Sequence, residues 1–236
     1  MKAQDRTILV TGSSSGIGRA TCERLLKAGY GVVGLARDHS KFVPDHPDYV
    51  PIGLDLSQTD TLVPSLRRIL KERPEIDGVV SNAGHGLFGS IESFSAQDIR
   101  AYFDLALLSH VLLSHVVVPH LKAKRRGDLI FMGSESALKG ARQGSLYCAA
   151  KFALRGLCQS LRAECGRRGV RVSLINPGMV RTPFFESLNF RPRAGADHAI
   201  LPDDVAGVVA MILSARQGTV IDEINLSPQS QVIDFD

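Results

Sequence analysis

The stretch TILVTGSSSGIGRA, residues 7–20, sets three glycines between a short apolar run and the start of a helical pattern. Gly12, Gly16 and Gly18 let a turn take positive φ and let the backbone approach a ligand closely. A helix starting at Gly16 points free N–H groups and the positive end of its dipole at that turn, which suits a phosphate. The spacing is G-x-x-x-G-x-G rather than the commoner G-x-G-x-x-G dinucleotide fingerprint. A strand feeding a glycine turn and then a helix is the first unit of an α/β fold.

The rest of the chain repeats that unit. Strand candidates are TILVTG, GVVGLA, YVPIGLD, DGVVSNAG, DLIFMGS, RVSLINPG and TVIDEINL. Most are continuous Val/Ile/Leu runs, as expected of strands covered on both faces. VIDEINL alternates and belongs at a sheet edge. Helical patterns lie between them, at about 16–28, 58–72, 96–124, 145–168 and 203–215. Strand and helix taking turns predicts a Rossmann-type, doubly wound, mainly parallel sheet of seven strands with helices on both faces. No linker or repeat divides residues 1–236, so one domain is expected.

Composition narrows the classes. At 44% hydrophobic residues, 236 residues bury a full core, and the formal charge of +4 is a mild bias towards anionic partners. The basic residues form no stripe interleaved with aromatics, which argues against a nucleic-acid binder. The short run KAKRR (122–126) reads as the cationic end of a helix entering Gly127. Cys22, Cys148, Cys158 and Cys165 have no metal-ligand spacing; they fit small buried side chains in a reducing, cytoplasmic setting. No signal-like apolar core stands at the N-terminus. The most apolar long segment, 101–121, is interrupted by Asp104, His110 and His115 and makes a poor membrane span.

In such sheets ligands sit at the carboxyl ends of the strands, near the reversal of strand order. The second strand ends GLARD: Ala36 leaves no carboxylate, and Arg37 supplies a planar donor fork suited to a 2′-phosphate. Asp38 could reach ribose hydroxyls or pair with Arg37. NADP(H) is therefore expected ahead of NAD(H). Further on, SLYCAAKFAL places Tyr147 and Lys151 one helical turn apart, on one face. Reducing a carbonyl needs a proton for the developing alkoxide and a donor that polarises the oxygen. A Tyr phenol titrates near pH 10, and a nearby ammonium favours phenolate. Ser134, just after the fifth strand, offers the polarising hydroxyl.

Taken together, these residues resemble the short-chain dehydrogenase/reductase family in its single-domain form. The resemblance rests on TGSSSGIG (11–18), Asp55-Leu56, NAG (82–84), Ser134, YCAAK (147–151) and PGMVRT (177–182), in family order along nearly the whole chain. It implies hydride transfer between a nicotinamide and a carbonyl or secondary alcohol, with Tyr147 as acid/base, Lys151 as modulator and Ser134 as polariser. Ser136 ranks behind Ser134. It also implies that Ser14, Ser15 and Ile17 join the glycines around the phosphates and that Asp55 and Leu56 flank the adenine. Asn82, Ala83 and Gly84 would line the cofactor's middle, and Pro177, Gly178, Val180 and Thr182 its nicotinamide end.

One departure stands out. Many members carry Asn in the fourth helix, where FDLALLSHVLLSHVVVP (103–119) places Ala106. A backbone carbonyl there could still hold a water if the helix bends. Ser109 and His110 are substitutes only if the helix turns them inward; a histidine in an apolar helix is otherwise a packed or interface residue. Ala106 also supports an alternative, an NADP(H)-binding sensor or scaffold with little catalysis. Residues 183–201, PFFESLNFRPRAGADHAIL, read as a substrate lid with apolar walls and cationic ends. That suits a small aromatic or carboxylated molecule, with His85 and Leu87 near the mouth. The tail VIDEINLSPQSQVIDFD is similar to the branch containing serine and 3-hydroxy-acid dehydrogenases. The apolar breadth of 101–121 predicts a homodimer or homotetramer.

Overall fold

The computed structural model describes residues 5–235. The chain runs β1 (Thr7–Thr11), α1 (Gly16–Lys27), β2 (Gly31–Ala36), β3 (Tyr49–Gly53), α2 (Thr59–Glu72) and β4 (Ile76–Ser81). It continues through α3 (Ala96–Phe103), α4 (Ser109–Lys124), β5 (Gly127–Met132), α5 (Ser145–Cys165) and β6 (Val170–Pro177). The last elements are β7 (Phe190–Pro192), α6 (Pro202–Ser214), β8 (Glu223–Leu226) and β9 (Ile233–Phe235). Seven strands form one parallel sheet in the order β3-β2-β1-β4-β5-β6-β8, so strand order reverses between β1 and β4.

Alternation along the strands feeds two cores. Leu9, Val79, Leu129 and Phe131 face one way, onto Leu62 and Leu66 of α2, Leu113 and Val117 of α4, and Leu154 of α5. Their neighbours Ile8, Val10, Val80 and Ile130 face the other way, onto Leu25 of α1 and Val205 and Val209 of α6. Both sides of the central strands are thus covered, which is why they read as unbroken apolar runs. β3 differs from that expectation. It is the opposite edge from β8, its burial alternates, and it carries Pro51, which an edge strand tolerates.

The long apolar stretch at 96–124 has the length and hydropathy of a membrane span, yet half of its most apolar window is buried, against α2 and the sheet. It is two α-helices joined by a π-turn at Asp104–Leu108, with Ala106 in its middle. The helix ends at Lys124, followed by Arg125 in the left-handed conformation (φ 53°), so KAKRR does cap a helix. A second sheet was not legible in the sequence: β7 and β9 form a two-stranded antiparallel ribbon that ties the 183–201 segment to the C-terminal segment.

Charge is buried at the amino ends of the central strands. Arg171 on β6 grips Asp128 on β5 with two bonds, Nε to Oδ1 at 2.7 Å and Nη2 to Oδ2 at 2.9 Å. Arg6 donates to the same carboxylate at 2.8 Å and to Asp77 of β4 at 3.1 Å. Asp128 is 2% exposed, so its removal strands two guanidinium groups in the interior. Asp128→Ala should lose roughly 3–5 kcal/mol of stability, measured as a shift of the urea midpoint. A loss within the range of surface substitutions would show that the cluster does not hold the sheet.

Candidate active site

The carboxyl ends of β1 and β4 are held together by side-chain bonds where the ladder stops. Thr11 Oγ1 accepts the N–H groups of Asn82 at 2.8 Å and Ala83 at 2.9 Å, and Asn82 Nδ2 donates to the Thr11 carbonyl at 2.9 Å. Gly12 sits beneath with φ 68°, and a Cβ there would lie 2.9 Å from Asn82 Nδ2. Gly18, at the start of α1, packs on the Gly12 carbonyl, where a Cβ would clash at 2.0 Å. Ser14 and Ser15 complete the loop before α1, and half-buried Ile17 packs beneath its first turn against the α1/α6 core. A cleft of about 380 Å³ opens beside it, lined by Ser14, Ser15, Gly16, Lys41, Arg181 and Thr182. Thr182 stands over Gly16, 3.3 Å from the position of a Cβ. Gly84 has open space where a side chain would be.

Arg37 follows β2 and is exposed; its charge reaches Asp55 and His85. Asp38 is occupied elsewhere, accepting from Ser40 N at 2.7 Å and Ser40 Oγ at 2.8 Å. Neither carboxylate oxygen pairs with Arg37. Burial alone would raise the Asp55 carboxyl, but two bonds from Ser57 and the nearby Arg37 hold it below its usual range. Leu56 turns into the core. Pro177 ends β6, Gly178 N donates to Leu226 O at 2.8 Å, and Val180 bridges to Ile200. These contacts bring every residue expected around a dinucleotide to one edge of the sheet, and the open glycine cradle fits such a group.

Ser134, Tyr147 and Lys151 converge at the same edge, each under a tenth exposed. Ser134 follows β5, accepts Ser136 N at 3.1 Å and lies near enough to Tyr147 to pull its phenol towards a lower pKa. Ser136 therefore supports Ser134. Lys151 lies one turn beyond Tyr147 on α5, its Nζ 5.8 Å from the Tyr147 ring centre and 2.9 Å from the Met132 carbonyl it donates to. Burial pushes the Tyr147 phenol up to about 12, against the opposing pull of Ser134, and brings Lys151 down to about 8. Burial is the largest cause of the raised Tyr147 pKa, and the phenol is protonated at neutral pH.

Residues that the sequence reading passed over fix this geometry. Asn176 is fully buried; its Oδ1 accepts Ser134 N at 3.3 Å, while its Nδ2 donates to Glu223 at 2.8 Å and Asn225 at 3.0 Å. Arg155 on α5 holds the other oxygen of Glu223 at 3.1 Å. The Asn in INPG was the available signal. Over Tyr147 lies an aromatic wall, with Phe88 at 4.9 Å and Phe184 at 5.9 Å between ring centres, continued by Phe190 on β7. Of the lid segment's cationic residues, Arg191 and Arg193, Arg193 pairs with Asp234 at 3.0 Å; Arg181, just before the segment, donates to the Arg193 and Gly195 carbonyls. His85 packs edge-on against Tyr102, and Leu87 joins the cluster around Tyr147.

A family model described as short chain dehydrogenase matches residues 6–192. The chain belongs to the short-chain dehydrogenase/reductase family. It is similar to estradiol 17-beta-dehydrogenase 1 of Rattus norvegicus, 32% identical over 203 residues covering 81% of this chain and 59% of that one. It is similar also to the NADP-dependent 3-hydroxy acid dehydrogenase of Schizosaccharomyces pombe, 26% identical with 96% and 93% covered. Among solved structures, a metagenomic short-chain oxidoreductase in complex with NADP superposes with a TM-score of 0.82 at 27% identity, covering 98% and 100% of the two chains.

Asn176→Ala removes partners from Ser134 N–H, Glu223 and Asn225 at once. It should cost roughly 1–3 kcal/mol of stability and, in protein that still folds, lower turnover while dinucleotide binding holds. Unchanged turnover would mean that Ser134 is positioned without it.

Proposed function

We propose that this oxidoreductase uses NADP(H) to reduce a ketone or aldehyde on a planar, largely apolar substrate. The observation that carries the proposal is the meeting of Ser134, Tyr147 and Lys151 beside the glycine cradle. A bound NADPH supplies the hydride. The phosphates would rest on the Gly12–Gly18 loop and the start of α1. Arg37, left free of Asp38, would take the 2′-phosphate. Asp55 and Leu56 would flank the adenine, Asn82, Ala83 and Gly84 the middle, and Pro177, Gly178, Val180 and Thr182 the nicotinamide.

Ser134 would donate a hydrogen bond to the substrate oxygen, and protonated Tyr147 would deliver the one proton that the developing alkoxide requires. A phenol held protonated favours reduction at neutral pH over the reverse reaction, which needs a base. Lys151 supplies the local positive charge. Its pKa is lowered, so that charge is lost as pH rises through about 8 rather than near the usual lysine value. Phe88 and Phe184 offer flat apolar walls, while Arg193 of the lid segment is already paired with Asp234. That favours a ring-bearing ketone over a carboxylated one. The 183–201 segment would act as the lid. Exposed Leu108 and Phe152 support a homodimer across α4 and α5.

A panel of ketones, aldehydes and hydroxy acids with NADPH tests the reading; inactivity across the panel would sink it. Tyr147→Phe should lose roughly 10²–10⁴-fold in turnover while still binding NADPH, and reduction by the wild type should fall above pH about 8. Arg37→Ala should weaken NADPH more than NADH in fluorescence titrations. Equal losses would reassign the cofactor.

A further inference from the structure

His110 is a buried ionisable group near the site that the proposed reaction does not use. The π-turn at Asp104–Leu108 adds one residue to the helix, which rotates the succeeding turns by about 100°. Ser109 and His110 are each 2% exposed as a result. Ser109 Oγ satisfies itself on the Leu105 carbonyl at 2.6 Å. The His110 ring instead reaches β4, with Nδ1 2.6 Å from Ser81 Oγ. Its Nε2 is buried with no hydrogen-bond partner among the described residues; the Ala83 carbonyl lies near it without closing a well-aligned bond, and the Lys151 charge acts on the ring.

Burying an imidazole with one nitrogen unmet is costly, and an apolar side chain would fill the space without that cost. On the other side Lys151 is nearly as buried and, among the described residues, bonds only the Met132 carbonyl, with one of its three donors. Burial first, and the Lys151 charge second, pull the ring's affinity for a proton down to a pKa of about 3. His110 is therefore neutral across the working pH range, with one nitrogen able to accept.

We propose that His110, oriented by Ser81, is a positioning residue for Lys151: with Nδ1–H donated to Ser81 Oγ, Nε2 accepts from one water that it shares with the Lys151 ammonium and the Ala83 carbonyl. A water there has three polar partners, as a buried water needs. The arrangement holds the ammonium charged and aimed at its place beside Tyr147. The other groups that bear on Lys151 are Tyr147 on its own helix and, through Tyr147, Cys148 beside it, Glu135 after β5 and Tyr102 on α3. β4 contributes only the Ser81 hydroxyl and backbone.

This inference rests on Lys151 being the working cation, and its test does not need turnover. The full chain labelled with ¹³C-lysine is titrated by NMR, with Lys151→Arg assigning the Lys151 signal, expected to move near pH 8 in the wild type. His110→Leu should lower the Lys151 midpoint by about one pH unit, roughly tenfold in proton affinity. Ser81→Ala should lower it by less, and His110→Gln, which keeps an acceptor, should restore most of it. If the enzyme turns over, the alkaline limb of kcat moves with the midpoint and the KM for NADPH stays within about twofold. A Lys151 midpoint that stays put in folded His110→Leu and Ser81→Ala overturns the proposal, and a lowered melting temperature alone would mark His110 as packing. Wild type without turnover, but with the midpoint shifts intact, would overturn the reductase reading and leave this one standing.

Discussion

The hydroxyl of Thr11 does the work of a ladder at the one place where the sheet has none. Register between β1 and β4 runs out at Val10 and Val80. Beyond it Thr11 Oγ1 takes two backbone N–H groups from the β4 turn, while Asn82 returns a bond to the Thr11 carbonyl. Two strands whose onward chains must part are clamped just before they do. The glycine loop is released on one side and the Asn82–Gly84 turn on the other, and the crevice between them has a fixed width. Gly12 is obligatory because Asn82 occupies the space of its side chain.

The two ends of the sheet treat buried charge in opposite ways. At the amino ends, Arg6, Asp77, Asp128 and Arg171 neutralise one another with short bonds, and the cluster serves the fold. At the carboxyl ends, Tyr147, Lys151 and His110 are buried without opposite charges beside them, so desolvation moves each towards its neutral form. Such a site is a stability cost carried by the scaffold. The aromatic wall over Tyr147 excludes water and deepens the effect, and the Asn176–Glu223–Arg155 chain keeps Ser134 from relaxing away.

The order of strands and helices was legible because buried parallel strands leave unbroken apolar runs, and because turn residues at their carboxyl ends are polar or glycine. The dinucleotide loop and the Ser134, Tyr147, Lys151 set were legible for the same reason: their spacing derives from single turns and single helices. What the sequence concealed depends on contacts between distant segments. β3 carries apolar residues like a central strand, and only its place in the order makes it an edge. The inward turn of His110 comes from one extra residue in a helix, which no periodicity over 101–121 reveals. Asp38 accepts from the backbone and hydroxyl of Ser40, two residues away, a local contact that the sequence does not display. The protonated state of Tyr147 results from burial beneath Phe88 and Phe184, whose distance in sequence hides their contact.

The β7–β9 ribbon has a practical side. Phe235 is 74% exposed and packs, at 6.3 Å between ring centres, on Phe190, which itself lies against the Phe88 ring over Tyr147. A group attached near Phe235 would lie next to the aromatic wall over Tyr147. An affinity tag placed there shares its surroundings with incoming molecules, so kinetic constants taken from such a preparation would describe the handle as well as the enzyme.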